Sequence, residues 1–230
     1  MKYYQLYRTA EPKIVGVKTG ASQVELKLDG SIKTQKYVEF DNYFSGYNHD
    51  FFKDQQKIES LRPPVFRGVL RKNAKVTDLM QYGQEFSYLP YLYSQKYIDI
   101  IKAFTIGNHY LFDFTIEDVA ERFYLMFVEK IPTSEVKFDQ SVIYTGHKVL
   151  NNIKYYQINT YEEFLQLLQS APLAKYEKIT ISKIYDDRDI ISIQATGGDF
   201  YSERLIDFLL DCNVTGLDIK YNTSIELDFK

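Results

Sequence analysis

The residues of this chain that could carry chemistry are few and scattered. Three histidines, His49, His109 and His147, show neither H-x-x-H nor H-E-x-x-H spacing. Each lies beside Gly or Asn, in stretches that read as turns, where a solvated imidazole is expected rather than a metal ligand. The single cysteine, Cys212, falls on the apolar side of a helical pattern beside Leu209. It is expected to pack as a small hydrophobe, and one cysteine excludes an internal disulfide and a Cys-based zinc site. There is no G-x-S-x-G elbow, no P-loop and no G-x-G-x-x-G, and Gly197-Gly198 alone is too short to cradle phosphates. The carboxylate pairs Glu117-Asp118 and Asp186-Asp187 sit in turn-like stretches. No catalytic set, metal site or cofactor site is therefore expected. A carboxylate pair assembled from distant parts of the chain stays open as the enzymatic alternative.

Charge and aromatic content point to binding instead. The chain has 21 Tyr and 16 Phe but no Trp. Tyrosine builds half-buried strands and also serves contact surfaces, because its ring is apolar and its hydroxyl is not. Net charge is −3, unevenly spread. Residues 1–185 hold 24 basic and 21 acidic side chains, and residues 186–230 hold 4 and 10. An acidic C-terminal quarter favours a basic partner over a phosphate backbone. The one basic run, Arg62, Arg67, Arg71, Lys72 and Lys75 with Phe66 among them, offers a nucleic-acid strip as a second alternative. Residues 66–71 alternate, however, so one solvated strand face explains the same residues.

The elements that must position a binding surface are legible in the periodicity. Strands are expected at 3–7, 24–28, 65–70, 110–114, 123–128, 179–184, 190–194 and 217–219. Three amphipathic helices are expected, capped by Ser94, Thr160 and Ser202. Strands come in pairs more often than they alternate with helices, which predicts an α+β fold with a largely antiparallel sheet. Gly146, Asn151 and Asn152 mark residues 141–153 as a boundary. The expected division is an N-terminal α+β region, 1–150, and a C-terminal one, 151–230, or else one continuous domain. Residues 29–62 read as a long loop in which aromatic side chains interleave with Asn, Gly and Asp. Tyr43, Tyr47 and Phe51 from this loop, with Asp186, Asp187 and Asp189 from the acidic turn, are the candidate partner-binding residues. The start of the chain lacks the apolar run of a signal peptide, and no stretch approaches the ~20 apolar residues of a membrane span, so a cytoplasmic protein is expected.

An internal echo stands beside these elements: Tyr93-Ser94-x-x-x-Ile98-Asp99 matches Tyr201-Ser202-x-x-x-Ile206-Asp207. Two helices using the same capping chemistry would explain it, as would a duplication.

Tyr201-Ser202-Glu203-Arg204-Leu205, an amphipathic helix and then Thr215-Gly216-Leu217 form a pattern that resembles a family of bacterial immunity proteins from polymorphic toxin systems. Ser94-Gln95-Lys96, residues 124–131, Phe138-Asp139-Gln140-Ser141 and Val76-Thr77-Asp78 are similar to that family's segments in the same order. The resemblance spans roughly residues 65–220, and residues 1–60 match nothing in it. It implies a non-catalytic protein that neutralises a cognate protein toxin by occlusion. It names no contact residues.

Overall fold

The computed structural model describes residues 1–27, 34–48, 50–83 and 86–230. His49 and Leu28, both read from the sequence, lie outside them. In chain order the first elements are β1 (Tyr3–Arg8), α1 (Pro12–Val15), β2 (Val24–Leu26), α2 (Gln35–Tyr43), β3 (Phe66–Leu70), β4 (Leu79–Met80), β5 (Leu92–Ser94), α3 (Gln95–Ile101) and β6 (His109–Ile116). There follow β7 (Phe123–Val128), β8 (Lys130–Ile131), β9 (Val142–Thr145), β10 (Lys154–Tyr156), α4 (Tyr161–Ser170) and β11 (Lys175–Ile181). The chain closes with β12 (Ile190–Ile193), β13 (Phe200–Ser202), α5 (Glu203–Asp211), β14 (Leu217–Ile219) and β15 (Glu226–Phe229).

The fold is α+β, with mixed and largely antiparallel sheets. One sheet runs β2-β3-β6-β7-β5-β4, a second β14-β1-β13-β12-β8 and a third β10-β9-β11-β15. The pairs β3–β6, β8–β12 and β11–β15 are parallel. The helices expected at Ser94, Thr160 and Ser202 all form. Each cap hydroxyl accepts a backbone N–H three residues on, from Tyr97, Glu163 and Leu205 respectively. Among the described residues no helix is long and apolar enough to cross a membrane.

One arrangement occurs twice. Central strand β7 lies between β5 and β6, and N-terminal strand β1 lies between β13 and β14. In register, Tyr124 faces Tyr93 and Tyr4 faces Tyr201. The Tyr124 hydroxyl donates to Gln95 Oε1, and the Tyr4 hydroxyl donates to Glu203 Oε1 at 3.3 Å. Taking residues 1–116 as one half and 123–230 as the other, each half thus lends its first strand, β1 or β7, to the other half's sheet. Beside them, Gly83 N–H donates to the Val24 carbonyl (2.8 Å) just as Gln194 N–H donates to that of Ile131 (2.9 Å).

Two buried aspartates lock the halves together by the same rule. Asp78 accepts from the Ser94 hydroxyl (2.8 Å) and reaches across to the Thr215 N–H (2.7 Å). Asp189 accepts from the Ser202 hydroxyl (2.5 Å) and reaches across to the Thr105 N–H (2.9 Å). The echo seen in the sequence is therefore a repeat of structure as well as of capping.

This exchange runs across the division expected at residue 150. Hairpin β9–β10 spans that point, and β1 belongs to the sheet that carries α5. The helices α3 and α5 share a core in which Leu6, Tyr97, Ile101, Tyr201, Leu205 and Leu209 are buried together. No cut between residues 141 and 153 would leave that core on one side.

Gly216, in the T-G-L segment, has φ +89°, and a Cβ there would lie 2.4 Å from the Leu79 carbonyl oxygen. Gly20 also has positive φ (+84°) but has open space around it. Gly216→Ala is expected to cost about 2–3 kcal/mol, from backbone strain plus collision, and Gly20→Ala about 1 kcal/mol from strain alone. Thermal melts of the two variants check the ordering. Equal losses would contradict the close approach at Gly216.

Candidate functional site

The stretch expected to be an aromatic loop is largely folded inward. Residues 35–43 form α2, with Thr34 as cap, and Phe40 and Phe44 continue its buried face. Phe51 is 0% exposed, stacked on Tyr88 at 4.3 Å and edge-on to Phe127 at 5.4 Å. It belongs to the core and is withdrawn from the candidate contact surface. Burying an aromatic ring in a cluster of others stabilises more than exposing it on a loop. Tyr43 is half-buried, its hydroxyl donating to the Asp54 carbonyl at 2.8 Å. Its pKa is pushed up to about 12, first by burial and then by the Asp54 and Tyr110 charges. Tyr47 stands 89% exposed on a turn.

The acidic turn divides in the same way. Asp187 is exposed and Asp186 half-exposed, whereas Asp189 is 0% exposed and is withdrawn as well. Arg204 grips both Asp189 oxygens at 2.6 and 2.7 Å, so its charge is committed within the fold. Burial pushes the Asp189 pKa up, but the hydrogen bonds from Arg204, Ser202 and Thr105 outweigh that and hold it below the usual carboxylate value. The Tyr3 hydroxyl fastens the turn from beneath by donating to the Arg188 carbonyl at 2.7 Å.

The neighbours of these candidates meet in a groove of about 360 Å³. Phe52, Lys53 and Asp54 form one wall, and Tyr185 and Arg188 the other. Gln55 fixes the floor: its side-chain amide donates to the Lys130 carbonyl and accepts from the Lys130 N–H, both at 2.8 Å. Tyr185 donates to Glu135 at 2.7 Å and carries the Arg188 guanidinium over its ring at 4.7 Å. Its pKa rises to about 12, through burial and then the Glu135 hydrogen bond. Ile184, beside Tyr185, is exposed. The structure thus brings the ends of both sequence-predicted segments to one groove, through Phe52 and Arg188 rather than Phe51 and Asp189.

Phe52 and Lys130 also border a second cavity, of about 300 Å³, between the two halves. There Lys130 donates to the Ser192 hydroxyl at 2.7 Å, and Ser192 donates to Asp199 at 2.5 Å. Ser192 is 1% exposed with its proton given to a carboxylate, an arrangement that holds a side chain in place rather than activating it. Sequence reading passed over Lys130, Ser192 and Asp199. They lie 62 and 7 residues apart; the pairing of β8 with β12 joins the first two, and the turn between β12 and β13 brings back the third.

The basic run follows its alternation: Arg67 is exposed, while Phe66 is in the core and out of reach of a base. Among the described residues no group of three or more His, Cys, Asp or Glu is arranged to hold a metal ion. Cys212 is half-buried at the end of α5. No protein-family model and no curated protein matches the chain.

Proposed function

We propose that this protein is an immunity protein, which binds a cognate bacterial toxin in the cytoplasm and neutralises it by covering its working surface. The observation that carries the reading is the groove between residues 52–56 and 185–188, where the rings of Phe52 and Tyr185 stand among charges of both signs on a floor tied down by Gln55, next to the turn that bears Asp186 and Asp187. Phe52, Tyr185 and Ile184 supply contact area, and Asp186 and Asp187 stand beside them with charge to steer a basic partner. The sequence pattern around Ser202 and Thr215 supports the same family of functions. Both residues hold the scaffold on which the groove is built, as cap and as crossover contact. A toxin complex of ordinary size would bury roughly 1,600 Å², so the groove would form its centre and not its whole extent.

The test starts from the neighbouring reading frames: a secreted protein with a toxin-like C-terminal domain there supplies the partner whose affinity is measured. Asp187→Lys is expected to weaken binding about tenfold or more, mainly by slowing association, with a smaller loss at high salt. Tyr47→Ala tests whether the interface extends over the 45–48 turn. An unchanged Kd for both variants would remove this surface from the proposal.

A further inference from the structure

The cavity between the two halves carries a charged set that its counterpart in the first half lacks. The matching bonds Gly83–Val24 and Gln194–Ile131 align β8 with β2 and β12 with β4. Lys130 then corresponds to Gln23, Ser192 to Gln81, and Asp199, one residue before β13, to Tyr91. In the first half the Gln23 amide donates to the Lys75 carbonyl (2.8 Å) and the Thr77 hydroxyl (3.0 Å). The fold therefore asks only for neutral polar contacts at these positions. The second half installs a lysine and an aspartate whose side chains are 15% and 21% exposed. Burying charge is costly and adds little stability compared with neutral packing, so another reason for it is called for.

That reason lies in how the carboxylate is used. Asp199 Oδ1 takes both internal contacts, from Ser192 at 2.5 Å and from the Lys130 ammonium at 3.6 Å. Asp199 Oδ2 has no partner among the described residues. Lys130 stands at the mouth shared with the outer groove, whereas Asp199 borders the inner cavity alone. The aromatic rings of Phe52, Tyr7, Tyr88 and Tyr91 wall the same space. The Asp199 charge reaches the phenols: after burial, it raises the pKa of Tyr7 and contributes to the rise at Tyr91.

We propose that this cavity binds an organic cation, an alkylammonium or guanidinium head, with Asp199 Oδ2 as its charge partner and the aromatic rings as its walls. A cation held against aromatic faces and a partly desolvated carboxylate gains both interactions where water competes least. The head could belong to a free amine or to a lysine or arginine side chain offered by a protein partner. Neither source depends on the partner being a toxin, because binding is read on the purified chain alone.

The experiment is titration calorimetry of the full chain with n-butylammonium, n-butylguanidinium and neutral n-butanol. At least one cation is expected to bind about tenfold more tightly than the alcohol. Asp199→Asn is expected to remove that preference, with an unchanged circular dichroism spectrum. Equal binding of butanol, a preference that survives Asp199→Asn, or no heat from any probe at millimolar concentration would overturn the proposal. The cation–alcohol comparison needs only the wild-type chain, so it decides the matter even if Asp199→Asn does not fold. An acetylated Gly-Lys-Gly amide distinguishes the sources: tighter binding than butylammonium assigns the cavity to a partner's side chain, and weaker binding assigns it to a free amine.

Discussion

Asp189→Ala is expected to lower stability by about 3–4 kcal/mol, because the buried carboxylate accepts four hydrogen bonds from three residues, Thr105, Ser202 and Arg204. Its removal leaves the Thr105 N–H without an acceptor, frees the Ser202 cap and releases Arg204 to solvent. Arg204 is more than half exposed and recovers water, so the loss stays below what a fully buried pair would give. For a chain of this length the melting temperature should fall by about 2–4 °C per kcal/mol. The pH dependence has a definite sign. The folded pKa of Asp189 lies below its unfolded value, so its contribution is complete above the unfolded pKa and is lost as pH falls through the folded one. Urea midpoints of wild type and variant should differ most at neutral pH and converge below about pH 4. A constant gap across that range would show that the ionised carboxylate is not what Asp189 contributes. Asp78→Ala should also lower stability, by less, since its lysine partner stands at 3.9 Å.

The pairing of these two aspartates also marks where sequence reading succeeded and where it stopped. The caps at Ser94, Thr160 and Ser202 were legible because an N-cap is a local device, fixed within four residues. Strand β7 was legible because a central strand buries both faces and reads as an unbroken apolar run. The pairing of β1 with β13 was not, since register between residues as distant as Tyr4 and Tyr201 leaves no local trace. Even so, Tyr93-Ser94 and Tyr201-Ser202 hinted at it. Helix α2 was missed for a different reason. Tyr37, Phe40 and Phe44 have the i, i+3, i+7 spacing of a buried face, but aromatics are middling helix formers and Asn42 and Gly46 mask the pattern. Asp189 was misplaced because a run of four charged residues looks solvated, and only the fold turns the last one inward onto Ser202 and Thr105.

Phe51 and Tyr47 separate the two readings of the aromatic segment by experiment. Phe51→Ala removes a ring that also touches Phe44 at 5.7 Å and Phe52 at 5.1 Å, and is expected to cost about 3–5 kcal/mol through lost burial and the cavity left behind. Tyr47→Ala removes a ring that stands in solvent, and should shift stability by no more than about 0.5 kcal/mol. Denaturant unfolding gives both numbers directly. At a temperature where both variants stay folded, Phe51→Ala should affect a bound partner only indirectly, through Phe52, which meets it edge-on, and Tyr88, which stacks on it; both border the inner cavity. Tyr47→Ala should change affinity with no change in stability if the interface covers the 45–48 turn. A stable Phe51→Ala variant would return that residue to the surface and dismantle the aromatic core described for the first half. The same core explains why the groove can be rigid at all: Phe51 anchors Phe52 from behind while Gln55 ties the next turn to Lys130. A partner would then meet a wall that has little conformational freedom left to lose on binding.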